Sequence, residues 1–61
     1  MFIIDQQWGN YVTLVDDTNL VAVVRNARTG VTLKTFRGET AWSDAGRYAS
    51  DKHYGVTTDI V

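Results

Sequence analysis

The shortness of the chain, together with its lack of cysteine, limits what it can fold into more than any other feature. At 61 residues the chain is one domain at most. A domain of about 60 residues buries only about 60% of its unfolded surface, and a core of that size rarely contributes more than about 3–5 kcal/mol. With no cysteine, neither disulfides nor thiolate metal sites can add to this. We therefore predict a single small domain over residues 1–61 that gains stability as a homo-oligomer or on a partner.

Turn-forming residues divide the first part of the chain into extended segments. Three segments have the apolar or alternating pattern of strands: residues 11–15, 20–25 and 31–36. They are separated by Asp16-Asp17-Thr18-Asn19 and by a loop over residues 26–30 that ends in glycine. Residues 2–4 either add a strand that pairs with residues 11–15 through a bend at Gly9-Asn10, or form a separate edge piece.

A helix is predicted from residue 41 to residue 53. Thr40 is placed to act as its N-cap, with the hydroxyl accepting a hydrogen bond from a first-turn amide. One stripe at three- and four-residue spacing holds mostly small and aromatic residues: Ala41, Trp42, Ala45, Tyr48, Ala49 and Lys52. Because alanine dominates this stripe, the helix is expected to approach a sheet closely. Gly55 suits the left-handed residue that ends a helix, and residues 56–61 alternate like a final strand.

These elements predict an α+β domain with the order β-β-β-α-β. Its sheet is expected to have three to four strands, mainly antiparallel, with the one helix packed on one face. A helical crossover before the last strand would let that strand lie parallel to a neighbour.

The residues that catalysis or metal binding would need are sparse. The one histidine, His53, falls at the predicted helix end, where a cation interacts favourably with the helix dipole. The helical serines and aspartates have the pattern of a solvated face, and no nucleophile-elbow sequence surrounds the serines. Asp16-Asp17 lacks the spacing of a calcium loop, and no glycine-rich phosphate loop is present. We predict a protein that is not an enzyme and has no metal or cofactor.

Charge is sorted along the chain, although the net charge is only −1. Residues 1–19 contain three acids and no base, and residues 20–38 contain four bases and no acid. Such sorting favours recognition of another protein, with aromatic side chains as anchors. An alternative is nucleic-acid binding by the basic hairpin over residues 20–38, although a pI near 5.5 is far from the basic footprint of such domains.

The candidate partner-binding residues combine aromatic rings and sorted charges. They are Trp8, Tyr11, Arg25, Arg28, Asp44, Arg47 and Asp51. Trp8 lies in the polar stretch Gln6-Gln7-Trp8-Gly9-Asn10, where periodicity gives a large ring no reason to be buried. In the nucleic-acid alternative, Arg25 and Arg28 meet phosphates while Trp8, Tyr11 or Phe36 stack on bases. In a third reading, a homo-oligomer sequesters a small ligand between subunits, in a pocket lined by Trp8, Tyr11 or Tyr54.

The layout from residue 20 to residue 61, with the helix start Gly38-Glu39-Thr40-Ala41-Trp42-Ser43-Asp44-Ala45 and an acidic helix face, resembles small phage-encoded proteins. Those proteins bind and inhibit host machinery or bacterial defence systems by occluding a surface. The resemblance implies a viral accessory protein with the same mode of action in the cytoplasm of its host. A cytoplasmic setting is also what the lack of cysteine favours. No apolar run approaches the roughly 20 residues that span a bilayer, so no membrane partner is expected.

Overall fold

A computed structural model of the chain describes residues 1–55, which form a four-stranded antiparallel sheet with one helix on one face. Its elements are β1 (Ile3–Trp8), β2 (Tyr11–Asp16), β3 (Val21–Asn26), β4 (Thr32–Arg37) and α1 (Ala41–Tyr54). The strands follow the order β1-β2-β3-β4, so each pairs with its neighbour in sequence. The predicted α+β class is confirmed, and the described elements have the order β-β-β-β-α. The predicted final strand over residues 56–61, with its parallel pairing, lies outside the described residues.

The first strand pairs with β2 through a two-residue turn at Gly9-Asn10, which is the first of the two arrangements predicted for it. The strand is longer than residues 2–4. A bulge between Ile4 and Gln6 shifts the register, so pairing continues to Trp8 although the apolar–polar alternation is broken there. Thr13, which is buried opposite this bulge, accepts a hydrogen bond at 2.9 Å from Gln6 N through its hydroxyl oxygen. A polar stretch that lacks strand periodicity is therefore part of the sheet.

The turn between β2 and β3 is organised by the carboxylate of Asp16. Its oxygens accept hydrogen bonds from Asn19 Nδ2 at 2.9 Å, Thr18 N at 3.0 Å, Asn19 N at 3.2 Å and the Met1 amino group at 3.2 Å. The bond from the Asn19 side chain, followed by the backbone and amino-terminal donors, outweighs burial and lowers the pKa of Asp16 from 3.8 to about 2. Leu20 has a φ of 54° and belongs to this turn, so β3 begins one residue later than predicted.

The helix packs on the sheet through small residues, as its sequence predicts. Three alanines without exposed surface contact the sheet: Ala41, Ala45 and Ala49. At Gly46 a Cβ would lie only 3.1 Å from Gln6 Oε1, which shows how closely α1 approaches β1. Trp42 and Tyr48 pack at the edges of this contact. Lys52 is exposed, with Nζ 5.5 Å from the centre of the Tyr48 ring, so its predicted place in the buried stripe is wrong.

The two ends of α1 differ in how well the sequence predicts them. Thr40 makes no side-chain capping bond; its hydroxyl donates to Asp44 Oδ2 at 2.9 Å, so the predicted cap is wrong. The reason is that the backbone of Thr40 (φ −98°, ψ 9°) is outside the extended conformation that aims a capping oxygen at the first turn. Gly55 ends the helix at a φ of 72°, as predicted. At 14 residues, α1 is too short to cross a membrane, and no other helix is found in residues 1–55.

Candidate partner-binding surface

Strand pairing divides the sheet into two faces with different surroundings. Val15, Ala22 and Val24 point toward α1 and form the hydrophobic core with its alanines; we call this side the covered face. The opposite side is the open face, where Leu33 lies at the irregularity of β4 and the residues paired across strands are Ile4, Gln7, Val12, Leu14, Asp16, Val21, Val23, Arg25, Thr32, Thr35 and Arg37. Within residues 1–55, no helix or strand lies over the open face.

The centre of the open face consists of valines with little exposed surface. Val12, Val21 and Val23 are exposed by only 6%, 7% and 8%. Arg25 lies directly opposite Val12, and Arg37 lies directly opposite Val21, on neighbouring strands. Side chains at such paired positions are close enough to shield one another from water.

Apolar surface also reaches both edges of the open face. Ile4 of β1 pairs with Leu14 of β2, which in turn pairs with Val23 of β3, so one apolar row runs across three strands. Ile4 is 67% exposed, and Leu33 of β4, at the opposite edge, is 38% exposed. Apolar side chains therefore occur on all four strands of the open face, interspersed with Gln7, Thr32 and Thr35.

Arg25 is the unusual member of the open face. Its side chain is half-buried, and its Nε atom is buried without a hydrogen-bond partner among residues 1–55. Asp16 is the acidic residue of β2 on this face. It pairs with Val21, four positions before Arg25 in β3, and its carboxylate is hydrogen-bonded to its own turn and to Met1. The contact of Asp16 with the Met1 amino group is the one ion pair found in the described part of the chain. Arg25 thus lies between Val12 of β2 and Thr32 of β4 and makes no ion pair with residues 1–55.

Trp8 and Tyr11, the predicted aromatic anchors, face α1 rather than the open side. They pair with each other across β1 and β2 and pack against the core. The Trp8 ring lies 5.9 Å from the ring of Tyr54, and its Nε1 donates to Gln6 Oε1 at 3.1 Å. The expectation that Trp8 stands clear of the core is therefore wrong, because the bulge in β1 turns it toward the helix. The ligand-binding alternative named Trp8, Tyr11 or Tyr54, and in the structure Trp8 pairs with Tyr11 and its ring lies beside that of Tyr54.

Three of the predicted charged residues line one shallow hollow beside the helix. Asp44, Arg47 and Asp51 surround a space of about 200 Å³ whose remaining walls are Phe36 and Tyr48. The two aromatic rings meet edge to face, with their centres 5.9 Å apart. Asp44 is already engaged by the Thr40 hydroxyl, which ties one carboxylate of the hollow to the start of the helix.

The two arginines that were predicted to act together at the hairpin tip are separated. Arg28 is exposed in the turn after β3, where its backbone N donates to Asn26 Oδ1 at 2.9 Å, whereas Arg25 lies within the strand on the open face. Tyr11 and Phe36 are on the covered face, opposite to Arg25. Arg25 and these rings therefore share no surface on which a nucleic acid could bind both. Nucleic-acid binding stays a prediction, and it would depend on Arg28 and the other basic residues of the hairpin.

His53 is held in an aromatic contact at the end of α1. Its ring lies 4.8 Å from the ring of Tyr54 and 6.5 Å from that of Trp8. A Cβ added to Gly9 would lie 2.6 Å from His53 Nδ1, so this imidazole rests directly on the turn between β1 and β2. Within residues 1–55, no three histidine, aspartate or glutamate side chains are grouped closely enough to hold a metal ion.

Comparisons with protein-family models, with curated proteins and with solved structures find no match to this chain. Function therefore has to be inferred from the geometry of the described residues.

Sequence reasoning missed the apolar part of the open face, although a signal for it is present. A strand that is buried on one side only alternates apolar with polar residues, whereas one that is apolar on both sides forms a continuous run. Residues 20–24 are such a run, and residues 11–15 interrupt theirs only at Thr13. The predicted fold has one helix, which can cover only one face of the sheet. If both faces of the sheet are apolar, the other face is left without a covering layer.

Proposed function

We propose that the protein is a non-catalytic protein-binding module that docks another protein on its open face. The observation that supports this is the exposure of Ile4 and Leu33 at opposite edges of a face over which no helix or strand of residues 1–55 lies. An uncovered apolar sheet face gains free energy when a second apolar surface removes it from water.

The size of the open face suits a compact interface. Four strands about 4.8 Å apart, each of six residues rising about 3.3 Å, present a flat footprint of roughly 400 Å². The apolar part of the face is smaller than this footprint; the largest apolar patch on an ordinary monomer is about 300–600 Å² and is often functional. A partner that also covered the strand edges would approach the roughly 800 Å² per side of a standard interface.

The proposed mode of action is occlusion. A rigid sheet that covers part of another protein blocks whatever else binds there, without any chemistry of its own. This is the mode implied by the resemblance of the chain to small phage-encoded inhibitors, and the proposed setting is the cytoplasm, with a host or defence protein as the target. A second copy of the chain is a further candidate for the partner.

The experiment that tests the open face compares what matched variants capture from a cell lysate. Leu33→Glu places a charge at an exposed rim position of this face, and Val31→Glu places the same charge at an exposed apolar position in the adjoining loop. We expect wild type and Val31→Glu to retain the same proteins and Leu33→Glu to lose them. Circular dichroism melts of all three should confirm that each is folded.

Capture that is equal for wild type and Leu33→Glu would reject the open face as the binding surface, as would the absence of any specifically retained protein. A Trp8→Ala variant in the same experiment tests the aromatic anchor predicted from the sequence. Loss of capture in that variant alone, with an unchanged melting curve, would assign binding to the aromatic cluster at the end of α1 instead.

A further inference from the structure

We draw no further inference here: the strongest candidate, the shallow hollow between α1 and β4 that is lined by Phe36, Asp44, Arg47, Tyr48 and Asp51, carries nothing because Arg47 stands between its two acids along the helix and nothing in the structure shows what would occupy the space.

Discussion

Val24 and Val23 are neighbours in β3, yet they lie on opposite faces of the sheet. Val24 has no exposed surface and packs against Val15, Ala22 and the alanines of α1. Val23 is exposed by only 8% between Leu14 and Thr35 of the neighbouring strands. The covered face is closed by α1, whereas no helix or strand of residues 1–55 lies over the open face. Low exposure alone therefore does not separate a core residue from one that is ready for a partner.

The same difference appears in the charges. The core cluster on the covered face contains no ionised group, and Thr13, which is buried opposite Val24, is hydrogen-bonded. The open face instead carries the half-buried Arg25, which makes no ion pair with residues 1–55.

The sharpest test of the comparison substitutes each of the two valines by threonine, which has nearly the same shape. In Val24→Thr the new hydroxyl is buried without water, so we expect the free energy of unfolding to fall by about 1–3 kcal/mol. In Val23→Thr water can reach the hydroxyl once the neighbouring side chains move, and we expect a loss of about 0.5 kcal/mol. Urea denaturation of both variants measures the difference. Equal losses would show that the open face is closed as firmly as the covered one.

A smaller effect is expected at the turn on which the end of α1 rests. Gly9 and Gly30 both have positive φ, so alanine at either position should cost about 1–2 kcal/mol. Only at Gly9 does the added Cβ also meet His53, at 2.6 Å, so Gly9→Ala should be the more destabilising of the two. Thermal melts give both values.

Removing the histidine ring provides the control for this contact. In the His53→Ala background, the penalty of Gly9→Ala should fall to that of Gly30→Ala, because only the backbone strain then remains. An unchanged excess in the double variant would mean that the end of the covering helix does not rest on this turn.

The smallest expected effect concerns the acid on the open face. The pKa of Asp16 is lowered from 3.8 to about 2 in the folded chain, so its carboxylate stabilises the fold above about pH 4. That contribution should be lost as the pH falls through about 2. Urea midpoints measured at decreasing pH should therefore decline in wild type and decline less in Asp16→Asn.

Asp17→Asn is the matched control, since it removes a neighbouring, exposed charge from the same turn. It should keep the pH dependence of wild type. If the two variants behaved alike, the stability of this end of the open face would come from net charge rather than from the hydrogen bonds of Asp16.

The sequence predicts the elements of this fold better than it predicts which way their side chains point. Spacing locates the helix to within one residue, because alanines at positions 41, 45 and 49 repeat with the helical period. Turn formers likewise locate β2, β3 and β4 to within one residue. Local chemistry of this kind is readable from one chain.

The assignment of residues to faces is less predictable, because it depends on pairing register. The bulge in β1 reverses the alternation after Ile4 and turns Trp8 toward the helix, and no single residue marks it in the sequence. The same dependence on register placed Arg25 and Tyr11 on opposite sides of the sheet, which separated residues that sequence analysis had grouped. Burial of a cation beside valine has no sequence signature of its own.

The order β1-β2-β3-β4 has a consequence for how the chain folds. Each of the four strands in residues 1–55 pairs with its nearest neighbour in sequence, so each closing loop is short and the entropy lost in closing it is small. Isolated hairpins form within about 1–10 μs, and the β2–β3 hairpin already contains Val12, Leu14, Val23 and Arg25. The surface proposed to recognise a partner is thus largely assembled before α1 docks, so a nascent chain would present its recognition residues early in folding.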